Sequence, residues 1–233
     1  MFYNCFSLTS LNLSGFTTSF LQNMSYLFYN CNNLRFLNIS NFNTSEVKDM
    51  RNMFRECYSL TSLDLSHFKV PSLNNMGSMF QGCSNLTSLD LSNFNSIELK
   101  NVSHMFADCT NLQYINFSFY DDRTIENLDE AFKGIKENIV YCMDNSSYNE
   151  RIRNELSYRR CPVNDCTNNW KDNKMRKIPA KEICINNCSL DSKYKYEYDY
   201  ICYEKCPKGT SSNTINIYLC ELNMNECFGK FPF

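Results

Sequence analysis

One interval dominates this sequence: phenylalanine returns every 26 residues, and in the first five units a cysteine follows it three residues later. A period kept without insertion over more than half of a chain is typical of one supersecondary unit stacked on copies of itself. The sequence therefore predicts an array of five units and a degenerate sixth. Units one to six begin at Phe2, Phe28, Phe54, Phe80, Phe106 and Phe132, and the cysteine column is Cys5, Cys31, Cys57, Cys83 and Cys109.

Each unit contains two apolar spacings. The L-x-L step, as in Leu63 to Leu65, has a period of two and predicts a short strand. The segment L-x-x-M-x-x-M-F-x-x-C, as in Leu73 to Cys83, has spacings of three and four and predicts a helical turn or short helix. One strand per unit gives a parallel β-sheet on one face, with short helices on the other. The predicted fold class is an α/β solenoid followed by a small disulfide-rich module.

The pattern M-F-x-x-C-x-x-L-x-x-L-x-L-S-x-F occurs almost letter for letter at 53–68 and 79–94. It resembles the leucine-rich repeats of BspA-like surface proteins, a class also described as a domain of unknown function in mycoplasma lipoproteins. The resemblance covers residues 1 to about 142. It implies a curved leucine-rich repeat fold, a cell-surface or secreted location, and adhesion to host, matrix or neighbouring-cell proteins. It implies no catalytic residues and no defined binding site.

The column cysteines have two interpretations. They are predicted to be small apolar side chains in the core, because residues in one column share a direction whereas a disulfide needs side chains that converge. Ile135 occupies the equivalent position in unit six, which fits a packing role. The alternative is a ladder of bonds or reactive thiols between units.

The end of the chain is dense in cysteine and poor in apolar residues, which favours a disulfide scaffold over a large core. The alternative is zinc bound at all-cysteine sites. Against zinc, the usual C-x2-C spacing and histidine are both absent from this segment. The pairing cannot be assigned from spacing. The predicted disulfide cysteines are Cys161, Cys166, Cys184, Cys188, Cys202, Cys206, Cys220 and Cys227.

A second, shorter resemblance lies within this segment. Residues 202–210, C-Y-E-K-C-P-K-G-T, are similar to the turns of furin-like and growth-factor-receptor-like cysteine-rich modules of eukaryotic surface proteins. Three parts of the chain are therefore predicted: the repeat array at 1–141, a capping helix or linker at 142–160, and the disulfide module at 161–233.

The segment between array and module predicts a short amphipathic helix from Ser147 to Arg160. Ser147 and Glu150 form a capping box. Ile152 and Leu156 supply an apolar stripe that is expected to lie on the last unit. Residues 139–141 are expected to break the register and end the stacking, and Cys142 and Cys161 flank the helix and could join.

Function is expected on the outward face of the predicted sheet, where most residues are short and polar. Phe36 and Tyr114 stand out, because exposed rings are efficient interface anchors. A neighbouring column of serines lies at positions 14, 40, 66, 92 and 118. The alternative is that all these small polar residues only solvate the face and satisfy turns. The predicted ligand-binding residues are Ser10, Asn12, Phe36, Asn38, Ser62, Asp64, Ser88, Asp90, Tyr114 and Asn116.

Catalysis is not predicted. The two histidines, His67 and His104, occupy positions that vary from unit to unit, and the chain has no phosphate-binding glycine loop. No cofactor or metal is therefore expected. The net charge of −2 gives no electrostatic reason to bind nucleic acid. The expected partner is a host, matrix or neighbouring-cell surface protein or glycan.

The predicted function is that of a cell-surface or secreted adhesion or ligand-binding protein. The alternative is a non-catalytic intracellular leucine-rich repeat scaffold with a metal-binding cysteine tail. Nine N-x-S/T sequons leave glycosylation open. Met1 falls on the methionine position of the repeat, so the chain is expected to be a fragment of a longer protein whose signal and membrane anchor lie outside it.

Overall fold

The computed structural model describes residues 1–117, 121–136, 139–143, 150–157, 176–178, 181, 183–185, 187–198, 201–208, 210–213, 215–216 and 219–222. One buried cluster extends through all six units of the array. Phe28, Phe54, Phe80 and Phe106 have no exposed surface. From Phe2 to Phe132, successive phenylalanine rings are stacked with centroids 5.5–5.8 Å apart. The phenylalanine column is therefore the continuous interior that the repeat predicts.

The predicted parallel pairing is confirmed. Strand β1 pairs with β2, and β3 pairs with β4, with partners 26 residues apart, such as Ser10 with Phe36 and Ser88 with Tyr114. In both pairs, the strand of one unit lies beside the strand of the unit before it. The strands of the array are β1 (Ser10–Asn12), β2 (Phe36–Asn38), β3 (Ser88–Asp90), β4 (Tyr114–Asn116) and β5 (Val140–Cys142).

The expectation of one strand in every unit is wrong for unit three. Residues 62–64 form no strand and no backbone hydrogen bond with another backbone group, so the strands divide into a two-stranded and a three-stranded sheet. A regular strand would place Asp64 beside Asp90, where like charges repel. In addition, the ring nitrogen Nε2 of His67 lies 2.8 Å from the carbonyl oxygen of Ile39. The interruption therefore has a local cause in the residues of unit three.

The register does not break at residues 139–141. Strand β5 pairs with β4 at the same offset, Tyr114 with Val140 and Asn116 with Cys142. The apolar side chains of Val140 and Cys142 are buried. The apolar residues of β5 thus mark the end of the polar face, but the sheet continues through them. Cys142 belongs to β5, the last strand of the array.

Turns, and not the expected short helices, form the opposite wall in the described part of the array. In the segment 24–31, Tyr26 and Asn30 have positive φ, and the N–H groups of Leu27 and Cys31 donate to carbonyls three residues back. A positive φ at the third of four residues is the mark of a type II turn. The same pattern recurs in the following units, and we call this surface the turn wall.

The turns are joined from unit to unit by backbone hydrogen bonds. The N–H of Tyr26 donates to the carbonyl of Arg51 at 3.0 Å, and that of Phe28 donates to Met53 at 2.9 Å. An α-helix is about 10 Å wide and cannot repeat at the spacing of about 4.8 Å that neighbouring strands impose. Because turns can repeat at that spacing and bond to one another, they replace the helices that the apolar spacing alone favours.

Helix α1 (Glu150–Ser157) lies at the end of the array. Ile152 and Leu156 are buried in the same cluster as the phenylalanine column. The carboxylate of Asp122 in the fifth unit accepts the N–H of Ile152 at 2.9 Å, and the guanidinium of Arg151 donates to the carbonyl of Ile125. Both bonds run from donors at the start of the helix to acceptors of unit five, and they fix the helix start there. Ser147, the predicted cap, lies outside the described residues.

The remainder of the described chain contains short strands and two disulfides, in agreement with a disulfide-containing module. The strands are β6 (Arg176–Ile178), β7 (Ile183–Ile185), β8 (Tyr196–Tyr198), β9 (Ile201–Tyr203), β10 (Thr210–Ser212) and β11 (Cys220–Leu222). A four-stranded sheet has the order β7-β6-β9-β8, and a two-stranded antiparallel sheet consists of β10 and β11.

Candidate functional site

A groove of about 370 Å³ lies on the outward face of the first three units, which we call the strand face. Phe36 is 73% exposed in this groove, beside its chain neighbour Arg35. Asp64 lies on the side formed by unit three, where the strand is interrupted. The groove thus combines one exposed ring with one cation and one anion. Of the predicted site residues, it brings together Ser10, Asn12, Phe36, Asn38, Ser62 and Asp64.

The amide and carboxylate column of this face has a structural role. In the first four units its Oδ1 atom accepts the N–H of the serine two residues later, at 2.9–3.1 Å, and so closes a turn at the strand end. Hydrogen bonds from Ser66 lower the pKa of Asp64, so this carboxylate is ionised at neutral pH. The serine column is explained by the same turns, and Ser118 lies outside the described residues.

The predicted face does not remain open along its whole length. Tyr114 is half-buried and packs against Val140 and Cys142, which replace the short polar residues of earlier units. Asn116 is only 4% exposed, and its Nδ2 donates to Asp90 at 3.2 Å. The expectation that Tyr114 is an exposed anchor is therefore wrong, and Asn116 is not accessible for a ligand or a glycan. Phe36 is the exposed aromatic residue of this face within the described strands.

The column cysteines form a ladder of thiol hydrogen bonds. The thiol of Cys57 donates to the carbonyl of Phe28 in the preceding unit at 3.1 Å, and that of Cys83 donates to Phe54 at the same distance. Cys31 and Cys109 make the equivalent bonds at 3.0 Å. These five cysteines, including the half-buried Cys5, are free thiols. The packing interpretation of the column is thus confirmed.

Burial makes the four fully buried thiols of this column unreactive. It raises the pKa of Cys31 to about 11 and that of Cys109 to about 12. The pKa values of Cys57 and Cys83 are raised further in the same direction, again mainly by burial. Only the thiolate form of cysteine acts as a nucleophile or metal ligand. The buried thiols stay protonated at neutral pH, so they act as neither.

Four of the eight predicted disulfide cysteines are bonded among the described side chains, as Cys188 to Cys202 and Cys206 to Cys220. Each bond joins residues 14 apart, so it links one closely spaced cysteine pair to the next along the chain and does not close a pair. Cys142 is disulfide-bonded as well. The partner of Cys142 lies outside what the structure describes. The same holds for Cys161, Cys166, Cys227 and the side chain of Cys184.

A second polar column was missed in the sequence. Its side chains close a turn with the N–H two residues later, and its backbones form parallel bridges between units. An amide or carboxylate at one position in five successive units was the available signal. The column is Asn23, Asp49, Asn75, Asn101 and Asn127.

Within the described ranges, no three His, Cys, Asp or Glu side chains are grouped as metal ligands would be. His67 contacts a backbone carbonyl, and His104 lies 3.0 Å from Glu130. No helix among those residues is long and apolar enough to cross a bilayer.

Comparisons with known proteins are consistent with a repeat-type protein. A leucine-rich repeat protein from Bacteroides ovatus is 20% identical over 60% of this chain and 41% of its own, with a TM-score of 0.31, a likeness too weak to bear on the fold. The chain thus spans less than half of that protein. Among curated proteins, none is significantly similar to this chain. The family model described as "Mycoplasma protein of unknown function, DUF285" matches residues 1–118, half of the chain, and the chain belongs to this family.

Proposed function

We propose that this chain is the partner-binding part of a cell-surface or secreted protein, in which the repeat units form a leucine-rich repeat solenoid. The strand face contacts a protein or glycan of a host, of the matrix or of a neighbouring cell, and it has no catalytic role. The observation that carries this proposal is the groove of the first three units. Phe36, Arg35 and Asp64 line one groove, and an aromatic ring exposed by 73% between charged residues is an efficient anchor for a partner.

The cysteine chemistry supports the location. Disulfides persist in oxidising compartments and are rare in the cytosol. The last part of the chain contains disulfides, and four of the five free thiols of the array are buried. This combination suits a protein that folds outside the cytosol. The alternative, an intracellular scaffold with a metal-binding tail, would need those tail cysteines as thiolates.

Counting thiols distinguishes the two functions. Protein purified without reductant and denatured in a thiol reagent is expected to show about six free thiols per chain. Five come from the repeat column. A sixth is expected because the other nine of the fourteen cysteines are an odd number and cannot all pair within one chain. The readout is the mass added by alkylation. A count of all fourteen would support the intracellular scaffold instead.

Substitution of Phe36 tests the strand face. The array is screened against matrix proteins, glycans and host cells, and Phe36→Ser is expected to weaken binding of any partner at this groove about tenfold or more. Ile97→Ser is the matched control, because Ile97 is 75% exposed but does not line the groove. Neither substitution removes a buried group, so both variants should keep the wild-type melting curve. Equal binding by wild type and Phe36→Ser would show that the partner contacts another part of the protein.

A further inference from the structure

The turn wall of the first three units carries a second patch of tyrosine and arginine side chains. The rings of Tyr3 and Tyr29 are stacked with centroids 4.9 Å apart, and Tyr26 lies 5.6 Å from Tyr29. The guanidinium of Arg51 lies over the ring of Tyr26 at 6.0 Å, and that of Arg55 over Tyr29 at 5.8 Å. These five residues form one contiguous cluster, which we call the Tyr/Arg patch.

The two guanidinium groups keep donors that the chain does not use. Nε of Arg51 lies 3.4 Å from Asp49, and its terminal nitrogens make no hydrogen bond with the described residues. Nε of Arg55 lies 3.4 Å from Glu56 but is buried and not aligned to donate to it. One terminal nitrogen of Arg55 donates to Asn52 at 3.3 Å, which leaves the other for a partner. The rings beneath both guanidiniums hold them in fixed orientations.

The patch is confined to one end of the wall. The column that contains Tyr3, Tyr29 and Arg55 continues in units four to six as Gln81, Ala107 and Lys133. The architecture of the wall is the same in all units, because the turns and their hydrogen bonds repeat. The aromatic and guanidinium groups are thus not required by the fold at this position in the repeat.

We propose that the Tyr/Arg patch binds an acidic segment of a partner protein, with its carboxylates on Arg51 and Arg55. The positive edges of the rings, the phenol hydroxyls and the guanidinium N–H groups all favour an anionic acceptor. A sugar would instead need an open ring face. One face of Tyr3 is stacked on Tyr29, and guanidiniums lie over Tyr26 and Tyr29, so the outer face of Tyr3 is the one with no ring or guanidinium over it among the described residues. The proposal is independent of the groove on the strand face.

A short fluorescent peptide that alternates glutamate with serine is the probe, and the same peptide with glutamine in place of glutamate is its neutral counterpart. Anisotropy titration of the whole chain is expected to show binding of the glutamate peptide alone, weakening as salt is raised. Arg51→Lys combined with Arg55→Lys keeps both charges but removes the planar fork, and it is expected to lower the affinity about tenfold.

Lys133→Gln is the matched control, because Lys133 lies in the column of Arg55 three units away and its loss changes the net charge without touching the patch. It is expected to leave the affinity unchanged, as is Phe36→Ser on the opposite face. Circular dichroism melting curves verify that each variant is folded. The proposal is overturned if Lys133→Gln weakens binding as much as the double variant, if the glutamine peptide binds equally well, or if an anionic polysaccharide such as heparin binds while the glutamate peptide does not.

Discussion

Replacing Phe80 with alanine is expected to lower the free energy of unfolding by about 3–5 kcal/mol. Phe80 has no exposed surface, and its ring is stacked between Phe54 at 5.8 Å and Phe106 at 5.7 Å. The turns around it are fixed by hydrogen bonds to both neighbouring units, so the wall cannot collapse into the cavity. Urea unfolding followed by circular dichroism measures the loss.

Phe36→Ala is the control for this experiment, because it removes the same ring from an exposed position. Its effect is expected to stay within about 0.5 kcal/mol. Phe2→Ala should fall between the two, since Phe2 is only partly buried and stacks on a single ring. If the alanine variants at positions 80 and 36 lost equal stability, the phenylalanine column would not be the core of the array.

Raising the pH above about 9 is expected to unfold the array progressively. Burial raises the pKa of Cys31 to about 11 and of Cys109 to about 12, and it raises those of Cys57 and Cys83 as well. Thiols in an unfolded chain ionise near about pH 8.5, whereas the buried thiols stay protonated. Above this pH the native state binds more protons than the unfolded state. The contribution of the buried thiols to stability is therefore fully present below about pH 8.5 and falls as the pH rises toward the pKa values of the folded state.

The size of this loss follows from linkage. Each buried thiol contributes about 1.4 kcal/mol per pH unit across the window, so four contribute about 5 kcal/mol per unit. That is comparable to the whole stability of a typical domain, about 5–15 kcal/mol. Urea midpoints measured between about pH 8 and pH 10 give the slope.

Cysteine variants separate the thiols from other alkaline groups. Cys57→Ala combined with Cys83→Ala removes two of the four buried thiols and is expected to halve the slope, although it lowers the stability at neutral pH. Phe36→Ala leaves the cysteine column intact and should leave the slope as it is. An unchanged slope in the double variant would assign the alkaline transition to other residues.

The sequence predicts the core and the strand pairing because both depend on side-chain spacing alone. A fixed step of 26 residues places Phe28 over Phe54 and Ser10 beside Phe36 whatever the connecting backbone does. The amphipathic stripe of Ile152 and Leu156 is evident for the same reason. The exposed position of Phe36 also follows, since it alternates with the inward-facing Leu37.

The turn wall could not be predicted from apolar spacing, because steps of three and four fit a helix and a chain of turns equally well. Another signal was present. One column holds Asn4, Asn30, Glu56, Gly82, Asp108 and Gly134, and all six have positive φ. Asparagine, aspartate and glycine are the residues that adopt this conformation most readily, and glycine has no Cβ to strain it. Their recurrence at one position indicated turns and argued against a helix.

Other features depend on contacts between units that a single column does not reveal. To predict the missing strand of unit three, one must consider the charges of Asp64 and Asp90 together with the contact between His67 and Ile39. The position of α1 depends on hydrogen bonds that Arg151 and Ile152 donate to Asp122 and Ile125, which lie far from them in the sequence. The Tyr/Arg patch joins residues from three units. Asp64 and Asp90 share one column, but the partners of α1 and of the Tyr/Arg patch come from different columns or different parts of the chain, and the stacking brings them together.

The turn wall also determines how such an array can change in length. Both walls advance by nearly the same distance per unit, since backbone hydrogen bonds link the turn wall from unit to unit and parallel strand pairs link the strand face on both sides of unit three. Duplication or deletion of one 26-residue unit would therefore lengthen or shorten the molecule by about 5 Å while the remaining units keep their orientation. In evolution, the separation between the groove and the helix at the far end can thus vary in uniform increments, with no new packing solution required at either place.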